Sequence, residues 1–215
     1  KLVAVPSGPP PKIVISQLVT RGPAGAGDEF VELYNPNDQS VDLSTWRLQS
    51  KSSSGTTWIN RSGDGLPASS SIAAHGYFLL ASADYSGEIV PDYRHGGGWG
   101  LSDDGGHLRL VDSQDYPLDK LGYNQANDPE GQPASGDLAQ EHSLQRKARV
   151  ESTAVSLAPG GVEAGLGNGW DSDNNQADFV DQPVVQPRSS NQLTADPQII
   201  NNSLVHLWHF SECLG

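Results

Sequence analysis

The chain has 215 residues, 35% of them hydrophobic, and its 26 Asp and Glu against 13 Lys and Arg give a formal net charge of −13 at pH 7. This length and composition suit one good-sized domain with a buried core and exclude a disordered chain. No apolar run approaches the roughly 20 residues of a membrane-spanning helix, so no membrane span is predicted. The acidic balance disfavours a nucleic-acid partner, because phosphate binding relies on clustered Lys and Arg.

The two ends of the chain differ in character from its middle. Residues 1–11, KLVAVPSGPPP, finish in a proline-rich tract typical of an extended linker or arm. The chain begins at Lys1 and contains no Met, so we expect a processed or excised piece whose targeting signal lies elsewhere. Cys213 is the only cysteine, which excludes an intramolecular disulfide. Such sparse sulfur suits an oxidising exterior.

Nine short segments rich in β-branched and aromatic residues follow the linker, and each is predicted to be a strand. In chain order they are KIVISQLV (12–19), EFVELYN (29–35), WRLQS (46–50), TTWIN (56–60), GYFLLAS (76–82), HLRLVDS (107–113), LDKLGY (118–123), EHSLQRK (141–147) and QADFVDQPVV (176–185).

Alternation within these segments predicts which side chains share a face of the sheet. In EFVELYN, Val31 and Leu33 should lie on one face and Phe30 and Tyr34 on the other. No apolar residues recur at helical spacing over a dozen positions, so no long amphipathic helix is predicted. Twenty-four Gly and 15 Pro, placed between short strands, favour an all-β sandwich.

The order of these motifs resembles the lamin tail domain in its bacterial extracellular form. The similarity rests on DEFVELYNPNDQSVDLSTWRL (28–48), the GYFLLA strand, GWGLSDDGGHLRLVD (98–112), HSLQRK and the closing DSDNNQADF, and it spans residues 12–191. The resemblance implies an immunoglobulin-like β-sandwich of about 8–9 strands. It further implies a non-catalytic interaction or accessory module at the cell surface or outside the cell. Residues 192–215 have no place in this pattern and are predicted to be a C-terminal tail, either an extra strand or the start of a further segment.

The segment WDSDNNQADF (170–179) carries the strongest signal for a bound metal. Asp171, Asp173, Asn175 and Asp178 place several hard oxygen donors on one tight turn, as Ca²⁺ requires. Gln176 stands where an EF-hand needs Gly, and no Glu occupies the twelfth position, so this is not an EF-hand loop. A structural Ca²⁺ ion is the predicted cofactor, and the alternative is an Asx-rich turn that caps its own backbone.

Other polar and aromatic features receive structural interpretations. Glu32 is predicted to pair with a cation from a neighbouring strand or to face water. The acidic pair Asp103–Asp104 is interpreted as a hairpin turn. The basic run QRKAR (145–149) is interpreted as a solvated strand end. Trp99 is predicted to lie over the edge of the core rather than to form an exposed platform for sugar stacking.

The predicted function is that of an extracellular or surface module that binds a protein or a surface glycan. One alternative is the subunit of a fibre, in which residues 1–11 or the tail segment Leu204 to Phe210 would add to the sheet of another copy. The other alternative is a secreted hydrolase acting on phosphoesters or glycans, although neither G-x-S-x-G nor H-E-x-x-H occurs. His206 and His209, three positions apart, are a weak metal pair because a strand would point them to opposite faces.

Overall fold

The computed structural model describes residues 12–192 and residue 195. This part of the chain contains twelve strands, two single-turn α-helices and one 3₁₀ turn (Leu138–Gln140). The strands are β1 (Val14–Val19), β2 (Phe30–Tyr34), β3 (Val41–Asp42), β4 (Arg47–Ser52), β5 (Ile59–Asn60), β6 (Ser71–Ile72), β7 (Tyr77–Ala81), β8 (Tyr93–Arg94), β9 (Gly105–Val111), β10 (Pro117–Asn124), β11 (Ser143–Arg146) and β12 (Phe179–Gln182); the helices are α1 (Ala154–Leu157) and α2 (Asn175–Asp178).

Two sheets pack face to face and form a β-sandwich. One sheet has six strands in the order β12-β11-β1-β2-β7-β8, and the other has four in the order β10-β9-β4-β5. All their pairings are antiparallel except that of β7 with β8. β3 and β6 form a separate two-stranded ribbon. The two sheets contain ten strands, of which β5 and β8 are only two residues long, so eight longer strands form most of the sandwich. The prediction of an all-β sandwich with about 8–9 strands is confirmed.

The main core lies between the two sheets. Val31 and Leu33 of β2 face it, together with Leu108 and Leu110 of β9, as their alternation predicts. Trp99 is also part of this core and is only 1% exposed, in agreement with the interpretation that it packs on the core.

The outer face of the six-stranded sheet is covered as well. Phe30 and Tyr34 point to this side and are buried in two smaller apolar clusters, the first of them with Val185 from the segment after β12 packed against it. A register shift between Ile15 and Gln17 in β1 marks a β-bulge, and it lets Ile15 and Leu18 both reach the main core.

The sequence-based interpretation was wrong at three places. The predicted strand TTWIN (56–60) reduces to the two residues of β5. The Asp103–Asp104 pair does not join a hairpin: it precedes β9, whose partners are β4 and β10, and Asp103 accepts hydrogen bonds from Thr20 and Arg21. The basic run 145–149 is not a solvated strand end, because Arg146 is fully buried.

Neither α-helix in the described part of the chain exceeds one turn, so neither is able to cross a bilayer. The proline-rich arm, the segment Leu204 to Phe210, His206, His209 and Cys213 all lie outside the described residues, and the predictions made for them stay predictions.

Candidate functional site

A buried ionic cluster lies at one end of the sandwich, where β1, β10 and β11 meet. Arg146 donates two hydrogen bonds from Nη2 to the carboxylate of Asp119, at 3.0 and 2.9 Å, and both side chains are buried. Its Nε donates to the carbonyl oxygen of Ile15 at 2.7 Å, and its Nη1 donates to that of Trp170 at 3.1 Å. Asp171 lies 3.2 Å from the same Nη1. One guanidinium therefore joins two strands to the turn that follows residue 169.

Three carboxylates converge on this guanidinium. Oxygen atoms of Asp119, Glu130 and Asp171 lie within 4.8 Å of one another. Burial raises the pKa of Asp119 to about 6 despite Arg146, and burial together with the two neighbouring carboxylates raises that of Glu130 to about 7. Burial also acts to raise the pKa of Asp171, but Arg146 and Lys12 outweigh it and leave this pKa below its ordinary value. Lys12 contacts Asp171 at 2.6 Å, so two cations already face the group.

The four predicted calcium ligands lie on the turn beside this cluster but have different partners. Both carboxylate oxygens of Asp178 accept hydrogen bonds, one from Ser172 and the other from the backbone N–H of Asn174. The side-chain oxygen of Asn175 accepts from the N–H groups of residues 122 and 130. Asp171 is paired with Lys12 and Arg146, as above. Asp173 adopts a left-handed backbone conformation (φ 57°) at the tip of the turn.

These hydrogen bonds are those of an Asx-rich turn that caps its own backbone, with Asp178 at its centre. The calcium prediction is untested and stays a prediction. Of the four predicted ligands, Asp171 also belongs to the three carboxylates that converge on Arg146. The other two, Asp119 and Glu130, were not predicted from the sequence.

A groove of about 630 Å³ crosses the outer face of the six-stranded sheet. Val19 and Phe30 of the sheet form its floor with Tyr85, and the segment after β12 supplies Pro183 and Val185 as one wall. Tyr85 packs edge-on against Phe30, with ring centroids 5.9 Å apart. The groove is therefore apolar where it is deepest.

Polar groups are placed at the rim and at one point of the floor of this groove. Glu88 and Glu141 line it and are exposed. The hydroxyl of Tyr85 is buried and has no hydrogen-bond partner among the described residues. Burial, reinforced by nearby Asp28, raises the pKa of Tyr85 to about 12, so the hydroxyl stays protonated and keeps its hydrogen as a donor.

An ion pair fixes the wall of the groove. Arg188, in the segment after β12, donates to both oxygens of Glu32 on β2, at 2.7 and 3.1 Å, and to the hydroxyl of Tyr77 at 2.7 Å. Ser16 also donates to Glu32, at 2.6 Å. The prediction that Glu32 pairs with a cation is confirmed, although the cation comes from an irregular segment rather than from a strand.

The histidines of the described region do not assemble a nucleophile with a base. His75 lies between Asp38 (2.9 Å) and the hydroxyl of Tyr34 (3.5 Å), which is the arrangement nearest to a catalytic triad. Burial raises the pKa of Tyr34 to about 12, which is unfavourable for a phenolate nucleophile. His142 pairs with Asp181 at 3.0 Å and makes no hydrogen bond to a hydroxyl of the described residues.

Comparison with known proteins bears on the sandwich itself. The sequence model described as "Lamin Tail Domain" matches residues 6–125, which is more than half of the chain. The chain belongs to the lamin tail domain family. No curated protein matches it. Among solved structures, the lamin tail domain described here is similar to the crystal structure of a DUF4876 family protein from Bacteroides thetaiotaomicron: the two are 14% identical with a TM-score of 0.53, over 86% of this chain and 74% of that one. At this identity the likeness concerns the fold alone.

Membership confirms the resemblance and the immunoglobulin-like fold, and it indicates a non-catalytic interaction module. The matched region ends inside the loop after β10, so this lamin tail domain is completed by β11 and β12 from outside the match. Asp119 lies within the matched residues, whereas Arg146, Asp171 and Arg188 lie beyond them. The groove and the ionic cluster are thus both completed by the later part of the chain.

Proposed function

We propose that this lamin tail domain is a non-catalytic recognition module of an extracellular or surface protein, and that it binds an extended peptide segment of a partner protein in the groove on the six-stranded sheet. The observation that carries the proposal is the groove itself: an apolar floor of Val19, Phe30 and Tyr85 that also contains a buried hydroxyl with no partner among the described residues. Buried polar groups are almost always hydrogen-bonded in native proteins, so an unpaired one facing a groove marks a position for a ligand.

The charges at the rim indicate the chemistry of the partner segment. Glu88 and Glu141 are exposed and form no ion pair among the described residues. Among the described residues, Arg188 is the one cation that lines the groove, and it is already paired with Glu32. An apolar side chain flanked by Lys or Arg therefore complements the groove, because the apolar group fills the floor and the cation meets the rim.

Selection from a library of random extended peptides displayed on phage tests this proposal. We expect the full chain to enrich peptides in which a large apolar residue adjoins Lys or Arg. The double variant Glu88→Lys/Glu141→Lys should lose this preference, because it reverses the rim charge, whereas Glu151→Lys, which changes an exposed glutamate away from the groove, should keep it. The same consensus in all three proteins, or no consensus in any, contradicts the proposal.

A second measurement addresses the hydroxyl. Tyr85→Phe should weaken binding of the selected peptide by roughly 2–10-fold, the range for one neutral hydrogen bond. Its melting temperature should not fall, because the hydroxyl has no partner among the described residues. An unchanged affinity would remove Tyr85 from the site.

Self-assembly into a fibre is a second candidate, and one observation favours it. Gln192 lines the groove, and the tail of residues 193–215 continues from there. A tail from another copy would occupy the same groove. Analytical ultracentrifugation over a range of concentrations should then show polymers that disappear when residues 196–215 are deleted. A monomer at every concentration would exclude this candidate.

Calcium at the 171–178 turn also remains a proposal. Of the predicted calcium ligands, Asp171 and Asp173 each have at least one carboxylate oxygen that accepts no hydrogen bond from the backbone or from a hydroxyl. Both oxygens of Asp178, in contrast, accept such hydrogen bonds. Lys12 and Arg146 compete with any cation there, so we expect weak binding, with Kd about 10⁻⁴–10⁻³ M as in other extracellular modules. Calorimetric titration with CaCl₂ should give heat with the intact chain and less with Asp173→Ala. No heat with either protein would end the proposal.

A further inference from the structure

We infer that a second pocket, at the β4–β5 edge of the four-stranded sheet, binds the carboxylate of an acidic sugar residue, such as a uronate in an anionic polysaccharide. The pocket has a volume of about 440 Å³ and shares no lining residue with the peptide groove. Its walls come from β4, from the chain around β5, and from the loop that leads into β9. The inference thus adds a ligand and a site to the proposed function.

Arg61 supplies the positive charge of this pocket. Its Nε donates to the hydroxyl of Ser50 at 2.7 Å, and this is its only side-chain hydrogen bond to the described residues. No carboxylate of the described region lies within ion-pair distance of it. The terminal N–H groups of a planar guanidinium match the two oxygens of a carboxylate. Arg61 lines the cavity with these groups available.

Hydroxyl groups without a hydrogen-bond partner in the described region line the same cavity as Arg61. Tyr123 is only 1% exposed and lines the pocket, yet its hydroxyl forms no hydrogen bond with the described residues, and burial raises its pKa so that it remains protonated. The hydroxyls of Ser52, Thr56 and Thr57 also lack partners in the described region and line the same cavity. A ligand rich in hydroxyl groups, rather than a bare anion, makes use of such a lining.

A buried carboxylate outside the pocket holds the loop that forms one of its walls. Glu29 is fully buried and accepts hydrogen bonds from the backbone N–H groups of Trp99, Gly100 and Leu101, at 2.8, 3.1 and 2.5 Å. These bonds hold the loop that forms the wall. Glu29 interacts with Arg61 at longer range, which moderates the positive charge of the pocket. A singly charged carboxylate therefore fits better than a dianionic phosphate.

An aromatic ring lies beside the pocket. Lys51 lines the cavity, and its Nζ, which is paired with Asp128 at 2.8 Å, lies 4.9 Å from the centre of the Trp58 ring. Arg109 packs on the same ring at 4.3 Å. The indole is partly exposed, whereas Trp99 is buried, as the sequence analysis predicts. Trp58 is not among the residues that line the cavity, and its ring already packs against Lys51 and Arg109. The ligand is therefore recognised through Arg61 and the hydroxyl groups rather than by stacking on an aromatic ring.

Titration of the full chain with tetragalacturonate tests the inference. We expect saturable binding that is lost with the methyl-esterified tetrasaccharide, which keeps the sugar rings but lacks the charges. Arg61→Gln should weaken binding by about 10-fold or more, and Tyr123→Phe by roughly 2–10-fold. Arg149→Gln, which removes an exposed arginine outside the pocket, should bind as the unmodified chain does.

Tyr123→Phe keeps the test decisive if Arg61→Gln fails to fold, because it removes only a hydroxyl without a partner in the described region, and its melting temperature should match that of the unmodified chain. Equal binding of the ester and the acid, or no loss with Tyr123→Phe, overturns the assignment. Equally tight binding of dextran sulfate overturns it too, since it would indicate nonspecific attraction of anions. The peptide selection concerns a different surface, so either proposal is able to fail without the other.

Discussion

The guanidinium of Arg146 stabilises the sandwich through contacts that no apolar side chain could replace. It donates to Ile15 on β1, Asp119 on β10 and Trp170 on the turn before α2. Phe179 packs on the same guanidinium at 4.6 Å. Withdrawing both charges of a buried pair from water is costly, and the pair is stable only because nearly every polar atom finds a partner.

Removing one partner of this pair should therefore lower the free energy of unfolding much more than removing both charges does. Arg146→Met leaves Asp119 buried without a cation, and we expect a loss of about 3–5 kcal/mol in the free energy of unfolding. The double variant Arg146→Met/Asp119→Asn should be more stable than Arg146→Met alone, because an amide at 119 carries no charge and still accepts the hydrogen bond from Ile15. Urea denaturation of the single and double variants measures the coupling. Additive effects would show that the pair does not act as a unit.

Glu130 should make the stability of the domain depend on pH. Its pKa is raised in the folded chain to about 7, so the folded state holds this proton more tightly than the unfolded state does. The stabilisation of the folded state by this proton is fully present below about pH 4.5 and is lost as pH rises through 7. Glu130→Gln should therefore match the unmodified chain in melting temperature near pH 4.5 and exceed it at pH 8.

Calorimetric melting at several pH values checks this expectation, with Glu151→Gln, an exposed glutamate, as the control. A constant difference between Glu130→Gln and the unmodified chain at every pH would contradict the assigned cause. Asp119, whose pKa is also raised, contributes in the same direction in both proteins, and its repulsion of Glu130 is part of the difference that the comparison measures.

At the scale of elements, the irregular segment 183–192 is held to the six-stranded sheet by Arg188. The backbone N–H of this residue also donates to Glu32, at 2.7 Å, and its guanidinium packs over the ring of Tyr77 at 3.8 Å. Further along, Ser190 donates its N–H to Asp92. An element without strand or helix is thus fixed by side-chain contacts, and it forms one wall of the peptide groove.

Arg188→Leu should release this segment while the sheets remain folded. We expect faster amide hydrogen exchange in residues 183–192 and in the middle of β2, where Glu32 loses its cation, and a lower free energy of unfolding because the buried carboxylate is left unpaired. Hydrogen exchange followed by mass spectrometry measures both. Arg188→Leu/Glu32→Gln should recover stability but not the protection of residues 183–192. Unchanged exchange in the single variant would show that apolar contacts alone hold the segment.

The elements with regular alternation were predictable from sequence, and the reason is visible in β2. Successive side chains of EFVELYN alternate between the two faces of the sheet, so the pattern alone predicts that Val31 and Leu33 both point to the main core. β3, β6 and β8 have two residues each, and no periodicity exists over so short a length. The burial of Arg146 was not predicted, because the sequence does not distinguish a solvated basic residue near a strand end from one that is buried and paired with a carboxylate.

At the scale of the whole molecule, the sandwich is closed by pairing between distant parts of the chain. β1 pairs with β11, which places Gln17 opposite Gln145, so the first strand of the described region depends on residues beyond the family match. The second pocket, at the β4–β5 edge, likewise brings together Lys51, Gly100 and Tyr123 from distant parts of the chain. No local pattern reveals such a site, because its residues carry no common motif and only the packing of the sheets brings them together.

The pairing of β1 with β11 predicts which part of the chain unfolds as one cooperative unit. β1 at one end and the Arg188 segment at the other are both needed, and Ala195 adds a hydrogen bond to the carbonyl oxygen of His75 at 2.9 Å. A chain truncated to residues 12–195 should therefore unfold in one transition, within about 2–4 °C of the full chain, the shift that roughly 1 kcal/mol produces in a protein of this size. Ending the chain at residue 182 instead removes Arg188 and uncovers Phe30 and Tyr77, and the melting temperature should fall much further. Differential scanning calorimetry of the three proteins measures this. A large loss already in the 12–195 chain would mean that residues 1–11 or 196–215 belong to the folded unit.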